Sequence, residues 1–231
     1  MRTLASLAED QWGLVTRQQA ESAGLAWTTL ARLASDGAAE RVAHGVYRLR
    51  GSPPPDHLDL RAAWVQLAPA TPIWERTAEQ GVVSHRSAAS VYGLGDLTAD
   101  EHEFTLPKRR QSRRPDVRLH RAQLDRGEWV NMTGLLVTRP SRTAVDLLRD
   151  GAEPEAVATI VAGALAEIKD YPGAVAEALA PVASRLGLRR YDGLGLLRWL
   201  LELSGRSEAG MWMNEARAHM QRGAGEAEAL V

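Results

Sequence analysis

Few residues in this chain have the type and spacing that catalysis needs. There is no cysteine, which removes thiol nucleophiles, disulfides, iron–sulfur clusters and cysteine-based zinc sites. The histidines at 44, 57, 85, 102, 120 and 219 are scattered, and a lone histidine is more often a hydrogen-bonded residue than a ligand. The sequence has no glycine-rich phosphate loop ending in Lys-Ser/Thr, no pair of histidines one helical turn apart around a glutamate, and no Gly-x-Ser-x-Gly elbow. Gly93-Leu94-Gly95 and Gly193-Leu194-Gly195 lack the third glycine and the preceding strand of a dinucleotide fingerprint. One enzymatic pattern remains. Glu167-Ile168-Lys169 matches the Glu-x-Lys of metal-dependent nucleases, but it lies in a stretch of helical period, which is the wrong geometry for such a site. The chain therefore reads as non-enzymatic, with no catalytic residue, metal or cofactor expected.

Charge is more informative. The net charge is −1, yet the cations are concentrated, and 26 of the 28 are arginine. Arginine's planar fork suits bidentate contact with phosphate. Residues 1–52 carry six arginines against five acids, whereas residues 108–126 carry eight basic residues against two acidic ones. Lys108, Arg109, Arg110, Arg113 and Arg114 fall within seven positions, and Arg118 follows close behind. Cations this dense repel one another unless a polyanion or an acidic surface offsets them. DNA, an acidic protein partner and the acidic stretch 53–107 of the same chain are the candidates.

Certain elements must hold these residues in place. Leu4, Leu7 and Ala8 make one apolar stripe that stops at Trp12-Gly13. Thr16 is placed to cap a second helix over 17–23, which Gly24 ends. A third helix over Trp27–Ser35 turns Leu30 and Leu33 inward and Thr28, Thr29 and Arg32 outward, and Asp36-Gly37 closes it. Two alternating strands follow around Ala43-His44-Gly45, with Gly45 supplying the positive φ of a tight hairpin. This order is that of a winged helix-turn-helix. A major groove about 12 Å wide admits one helix, and the second helix of such a motif presents its first turns to base edges. The candidate DNA contacts are Thr16, Arg17 and Gln18 at the start of the second helix, and Trp27, Thr28, Thr29 and Arg32 on the third. Arg41, His44, Tyr47, Arg48 and Arg50 of the hairpin complete the set. The hairpin has no acid between residues 41 and 50, which fits a phosphate rail or a minor groove.

Gly51-Ser52-Pro53-Pro54-Pro55 reads as a stiff linker. Beyond it come a helix over 56–67, a short strand at 82–84 and a helix to Tyr92 that Gly93 stops. Strands are expected at 103–106, 117–120, 129–130 and 135–138, and helices over 140–149, 154–169, 173–186 and 192–203. Ser84 suits a helix cap, and Arg142 can reach Asp146 one turn on. The fold class is α+β: an N-terminal winged helix-turn-helix, then a larger mixed domain with a small sheet and a helical C-terminal half. The expected domains are 1–52 (DNA binding), 53–204 (α+β effector) and 205–231 (a C-terminal helix or flexible tail). No apolar run approaches the roughly 18 residues of a membrane span, and a cytoplasmic setting is expected.

Several segments together resemble one family. They are Asp10-Gln11-Trp12-Gly13-Leu14-Val15-Thr16, Leu30-x-Arg32-Leu33, Arg41-Val42-x-x-Gly45-Val46-Tyr47-Arg48, Ser84-His85-x-Ser87-Ala88-Ala89, and the run from Arg139 to Leu148. Over about residues 4–150 they are similar to the AbiEi-type antitoxins of bacterial type IV toxin–antitoxin systems. The resemblance implies a winged helix that represses its own operon by binding inverted repeats in double-stranded operator DNA. It also implies a C-terminal domain that opposes a nucleotidyltransferase-like toxin, with or without direct contact. The family's recognition helix usually opens with a serine cap followed by Arg or Pro, where this chain has Ala26-Trp27. A lost cap costs about 1 kcal/mol of helix stability. The alternatives are a stand-alone DNA-binding regulator, or a small metal-dependent nuclease using Glu167 and Lys169.

Overall fold

A buried threonine sets the first helix–helix corner, and the elements around it follow the expected order. The computed structural model describes residues 2–51 and 53–228; Ser52, residues 229–231 and the side chains of Arg2, Thr3, Trp27 and residues 223–228 lie outside the described residues. The chain divides into two compact units, one of residues 1–83, 101–124 and 131–137, the other of residues 84–100, 125–130 and 138–231.

The first unit opens with α1 (Arg2–Glu9), β1 (Leu14–Thr16), α2 (Arg17–Ser22), α3 (Trp27–Ser35), β2 (Ala39–Ala43) and β3 (Val46–Leu49). Thr16 accepts from the Gln19 N–H while the Gln19 side chain accepts from the Thr16 N–H, a capping box that satisfies two orphan helix-end donors at once. Leu4, Ala8, Val15, Ala20, Leu30, Leu33 and Ala39 form one buried cluster, with Leu7, Leu25, Tyr47 and Leu49 packed against it. The hairpin gains a third strand, giving the antiparallel order β1-β3-β2 with Leu14 opposite Arg48 and Thr16 opposite Val46. Gly45 turns the hairpin at φ +70, a left-handed conformation that a side chain would strain.

The chain after the prolines stays in the same unit. α4 (Leu58–Leu67) buries Leu60, Ala63, Trp64 and Leu67, the expected face, together with Arg61, Ala62 and Val65. β4 (Val82–Val83), β5 (His102–Leu106), β6 (Val117–Arg121), β7 (Trp129–Met132) and β8 (Leu135–Thr138) form a sheet in the order β6-β5-β4-β8-β7. β4 runs antiparallel to β5 and parallel to β8, and β5 runs parallel to β6.

The second unit holds α5 (His85–Tyr92), α6 (Pro140–Arg149), α7 (Pro154–Ala166), α8 (Pro172–Leu179), α9 (Gly193–Ser204) and α10 (Ala209–Glu228), with a 3-10 stretch at Ala180–Leu186. A proline opens each of α6, α7 and α8, where its missing N–H costs nothing. Val157, Ile160, Val161, Ala164 and Leu165 pack into one core with Leu196, Leu197, Leu200 and Trp212. Three expectations need correction. Ile168 does not continue the buried face, because α7 ends at Ala166 and Ile168 turns outward at φ +56, 77% exposed. Ser84 stands at the N-cap of α5 without capping it, and its hydroxyl lies 2.9 Å from His85 Nδ1 instead. The helix expected over 173–186 is shorter, because α8 stops at Leu179 and a 3-10 stretch covers Ala180–Leu186.

α8 and α9 meet at a glycine. A Cβ on Gly193 would sit 2.0 Å from the Ala176 carbonyl oxygen, and backbone cannot swing aside as a side chain can. Gly193→Ala is therefore expected to cost about 1–3 kcal/mol through overpacking, read as a lower urea midpoint. An unchanged midpoint would mean that the two helices do not approach this closely.

Candidate nucleic-acid interface

The helix expected to read DNA presents the face it was expected to present. In α3, Leu30 and Leu33 are buried, Thr28 and Arg32 are exposed, and Thr29 is half-buried. Ala26 provides no side-chain cap, and the first turn is closed by the Thr29 N–H donating to the Ala26 carbonyl at 2.8 Å. The Trp27 side chain falls outside the described residues. At the start of α2, Arg17 and Gln18 are exposed, and Arg17 Nε donates to Glu21 at 2.8 Å. Thr16 requires a correction. It is fully buried, and its hydroxyl donates to the Pro69 carbonyl as well as capping α2. It positions Arg17 and Gln18 and offers no surface of its own.

In the hairpin, Arg41, His44 and Arg50 are exposed, whereas Tyr47 and Arg48 are half-buried. Tyr47 lies against the apolar cluster. Arg48 Nη2 donates to Glu40 at 2.8 Å, so part of its charge is already offset. Arg41 Nη2 lies 3.1 Å from His44 Nδ1, at a bulge between Arg41 and Ala43 that re-aims the strand end. Arg17 and Gln18 line one groove with His44 and Gly45, so the start of α2 and the hairpin turn converge as a winged helix requires.

The winged helix is tied to the residues beyond the prolines by polar contacts that the sequence does not reveal. The buried Gln11 and Gln19 side chains bond each other at 2.8 and 2.9 Å, and they reach the Leu14 and Thr71 carbonyls and the Ile73 N–H. Trp12 Nε1 donates to the Thr133 carbonyl at 2.7 Å, and the Arg61 guanidinium lies over the Trp12 ring at 4.3 Å. The spacing Thr16-x-x-Gln19 signals the capping box alone and not the bond from Gln19 to Gln11. Gln66 on α4 gave no such signal. It donates to the His44 carbonyl at 2.7 Å and accepts from Arg114.

The basic run splits into two kinds of residue. Arg110 donates to the Leu67 carbonyl, and Arg114 donates to Gln66 and to both carboxylate oxygens of Asp116. The hydrogen bond from Arg114 holds the Asp116 carboxyl below the usual carboxylate range. His102 nearby is pulled down by burial, which outweighs the attraction of Asp116. Lys108, Arg109, Arg113 and Arg118 are exposed. No acidic residue of 53–107 forms an ion pair with Lys108, Arg109 or Arg113 among the described residues.

The nuclease pattern does not assemble. Glu167 and Lys169 are exposed just past the end of α7, 3.9 Å from each other. The buried acid beside them, Asp170, is taken up by the N–H groups of Ser141 at 2.8 Å and Tyr171 at 3.0 Å. Burial, reinforced by Asp170, pushes the Tyr92 hydroxyl up to about 12. Arg142 does reach Asp146, at 2.8 Å, and also Glu128 at 2.8 Å.

With this geometry in place, comparison with known proteins is specific to one end of the chain. Residues 2–50 match the family model described as transcriptional regulator, AbiEi antitoxin. The matched segment runs from α1 to the end of β3 and covers the whole winged helix. No curated protein matches the chain. Among the described residues no helix is long and apolar enough to cross a membrane.

Proposed function

We propose that this protein is an antitoxin-type transcriptional regulator that binds double-stranded operator DNA through α3 and the β2–β3 wing. It represses its own operon and opposes a nucleotidyltransferase-like toxin. The observation that carries the reading is the exposed outer face of α3, with Thr28 and Arg32 outward on a segment that matches an antitoxin regulator family. Thr28 and Thr29 offer hydroxyls and methyl groups to base edges, and Arg32 offers a fork that suits guanine. Arg17, Arg41 and Arg50 provide exposed cations for phosphate, with Gln18 and His44 beside them as further polar contacts. Trp27, at the head of α3, is included among the contacts of this reading. Arg48 has a smaller share, since Glu40 already neutralises it. The role is one of binding, not catalysis.

A gel-shift titration on the chain's own promoter region, alongside a scrambled duplex, tests this. Arg32→Ala is expected to weaken operator binding by about 1–3 kcal/mol and to narrow the gap to the scrambled duplex. Arg50→Ala should weaken both duplexes alike and lower the salt slope by about one. If neither change alters binding, α3 and the wing are not the DNA-reading surface. Co-expression with the product of the neighbouring reading frame tests the antitoxin half, with growth rescue as the expected result.

A further inference from the structure

From the last turn of α4 we infer a second phosphate-binding site: the loop 107–116, held in register with the wing by Gln66. The inference rests on the DNA-binding reading above and extends it beyond residues 2–50. The Gln66 amide carries the argument, because its two ends do different work. Nε2 donates to the His44 carbonyl at the wing turn, and Oε1 accepts from Arg114 in the basic loop. One residue further on, the Leu67 carbonyl accepts from Arg110. Two consecutive residues of one helix therefore hold both the wing turn and two points of the loop.

The anchors and the free cations have separate roles. Arg114 is neutralised by Asp116 and serves as structure. Arg110 spends a donor on a helix-end carbonyl, where a cation also complements the helix dipole. Between and beside these anchors stand Lys108, Arg109 and Arg113, all exposed, with no acidic partner among the described residues. Three unpaired cations in a loop whose ends are pinned pay a repulsion that only an anion relieves. A loop fixed to the wing turn presents that charge on the turn end of the wing, where Arg41 lies 3.1 Å from His44. Regularly repeated phosphates meet such a fixed pair of sites better than the irregular charges of an acidic protein do.

The test measures binding of the full chain to a 40-base-pair mixed-sequence duplex as a function of salt, a probe that needs no knowledge of the operator. Lys108→Ala/Arg109→Ala/Arg113→Ala is expected to lower the salt slope by roughly two to three and affinity at 0.1 M salt by about 10- to 100-fold. Its thermal midpoint should not fall, since all three side chains are exposed and their mutual repulsion is removed. Gln66 is a positioning residue, and Gln66→Ala removes no charge. It should nevertheless lower the slope. If the wild-type chain binds no duplex, the functional reading fails and the loop site with it. If it binds and Arg50→Ala lowers the slope while the triple variant does not, the loop site alone is overturned. An unchanged slope together with lost binding to a co-expressed protein would make the loop a protein-facing surface, and also overturns it.

Discussion

Replacing Arg142 with alanine is expected to lower the free energy of unfolding by about 3–5 kcal/mol, because it removes one charge of a buried ion pair and leaves the other in place. Arg142 and Asp146 are both buried, and their bond is 2.8 Å between Nε and Oδ1. Burial works against the guanidinium's charge, but Asp146 and Glu128 outweigh it and raise the Arg142 pKa. Glu128 is a third exposed, so its share of the loss is the smaller one. The sign of the pH dependence separates this account from simple loss of packing. In the variant, Asp146 keeps its burial and loses the Arg142 cation, so its folded pKa should rise relative to the wild-type chain. The folded state then binds the extra proton, and the deficit is greatest near neutral pH and shrinks as pH falls through that raised pKa. Arg142→Met with Asp146→Leu should recover most of the loss, since two apolar side chains replace both charges. Urea unfolding across pH 4–8 checks all three statements, and a deficit that stays flat across that range would reject the buried-charge account.

The parts of the fold that the sequence announces are those with a local cause. α3 shows in the spacing of Leu30 and Leu33, the hairpin turn in Gly45, and the starts of α6, α7 and α8 in Pro140, Pro154 and Pro172. β1 was missed because a three-residue strand buried throughout has no alternation to read, and it exists only as the partner of β3. In the sequence Thr16 fits both a helix cap and a DNA contact, and the structure makes it the cap. The residue type is the same for both, and only the Pro69 carbonyl, 53 positions away, decides between them. Gln66 looks like an ordinary polar residue at the end of a helix, since its partners His44 and Arg114 are 22 and 48 positions off. The basic run was legible as charge but not as two classes of arginine. Whether a guanidinium faces solvent or a helix-end carbonyl is a tertiary fact. The prolines after Gly51 suggested a separator, and their stiffness is real, but stiffness does not say which way the next helix turns. Here it turns back, and the contacts of Thr16, Gln19 and His44 with residues 66–71 follow from that.

Arg76 supports that returning helix, and Arg76→Ala is expected to cost about 3–5 kcal/mol, because it removes four hydrogen bonds from a charged donor and leaves the Trp64 carbonyl without a donor. Its guanidinium donates to the carbonyls of Trp64 at 2.6 Å, Val65 at 2.7 Å, Ala68 at 2.6 Å and Thr71 at 3.2 Å. The Trp64 and Val65 carbonyls belong to the last turn of α4, where the Ala68 N–H reaches Val65 at 3.3 Å and Arg76 supplies the donor for Trp64. The cation also stacks 4.5 Å from the centre of the Trp64 ring, while Trp64 Nε1 is occupied by the Gly81 carbonyl at 2.8 Å. Burial pulls the Arg76 pKa down to about 10, which still leaves the group charged at neutral pH in both folded and unfolded chains. The cost of Arg76→Ala should therefore be flat over roughly pH 5–9, in contrast to that of Arg142→Ala. Arg76→Lys should recover only part of it, because a single ammonium with three protons cannot span four carbonyls arranged around a planar fork. Since Gln66 sits between the Trp64 and Ala68 carbonyls, a frayed helix end releases the wing turn and the basic loop together. The alanine variant is thus expected to show a lower salt slope on DNA even at temperatures where it remains folded. A full loss of stability with an unchanged slope would separate the helix end from the DNA-binding surface; a slope that falls with stability, and returns in part with lysine, ties them together.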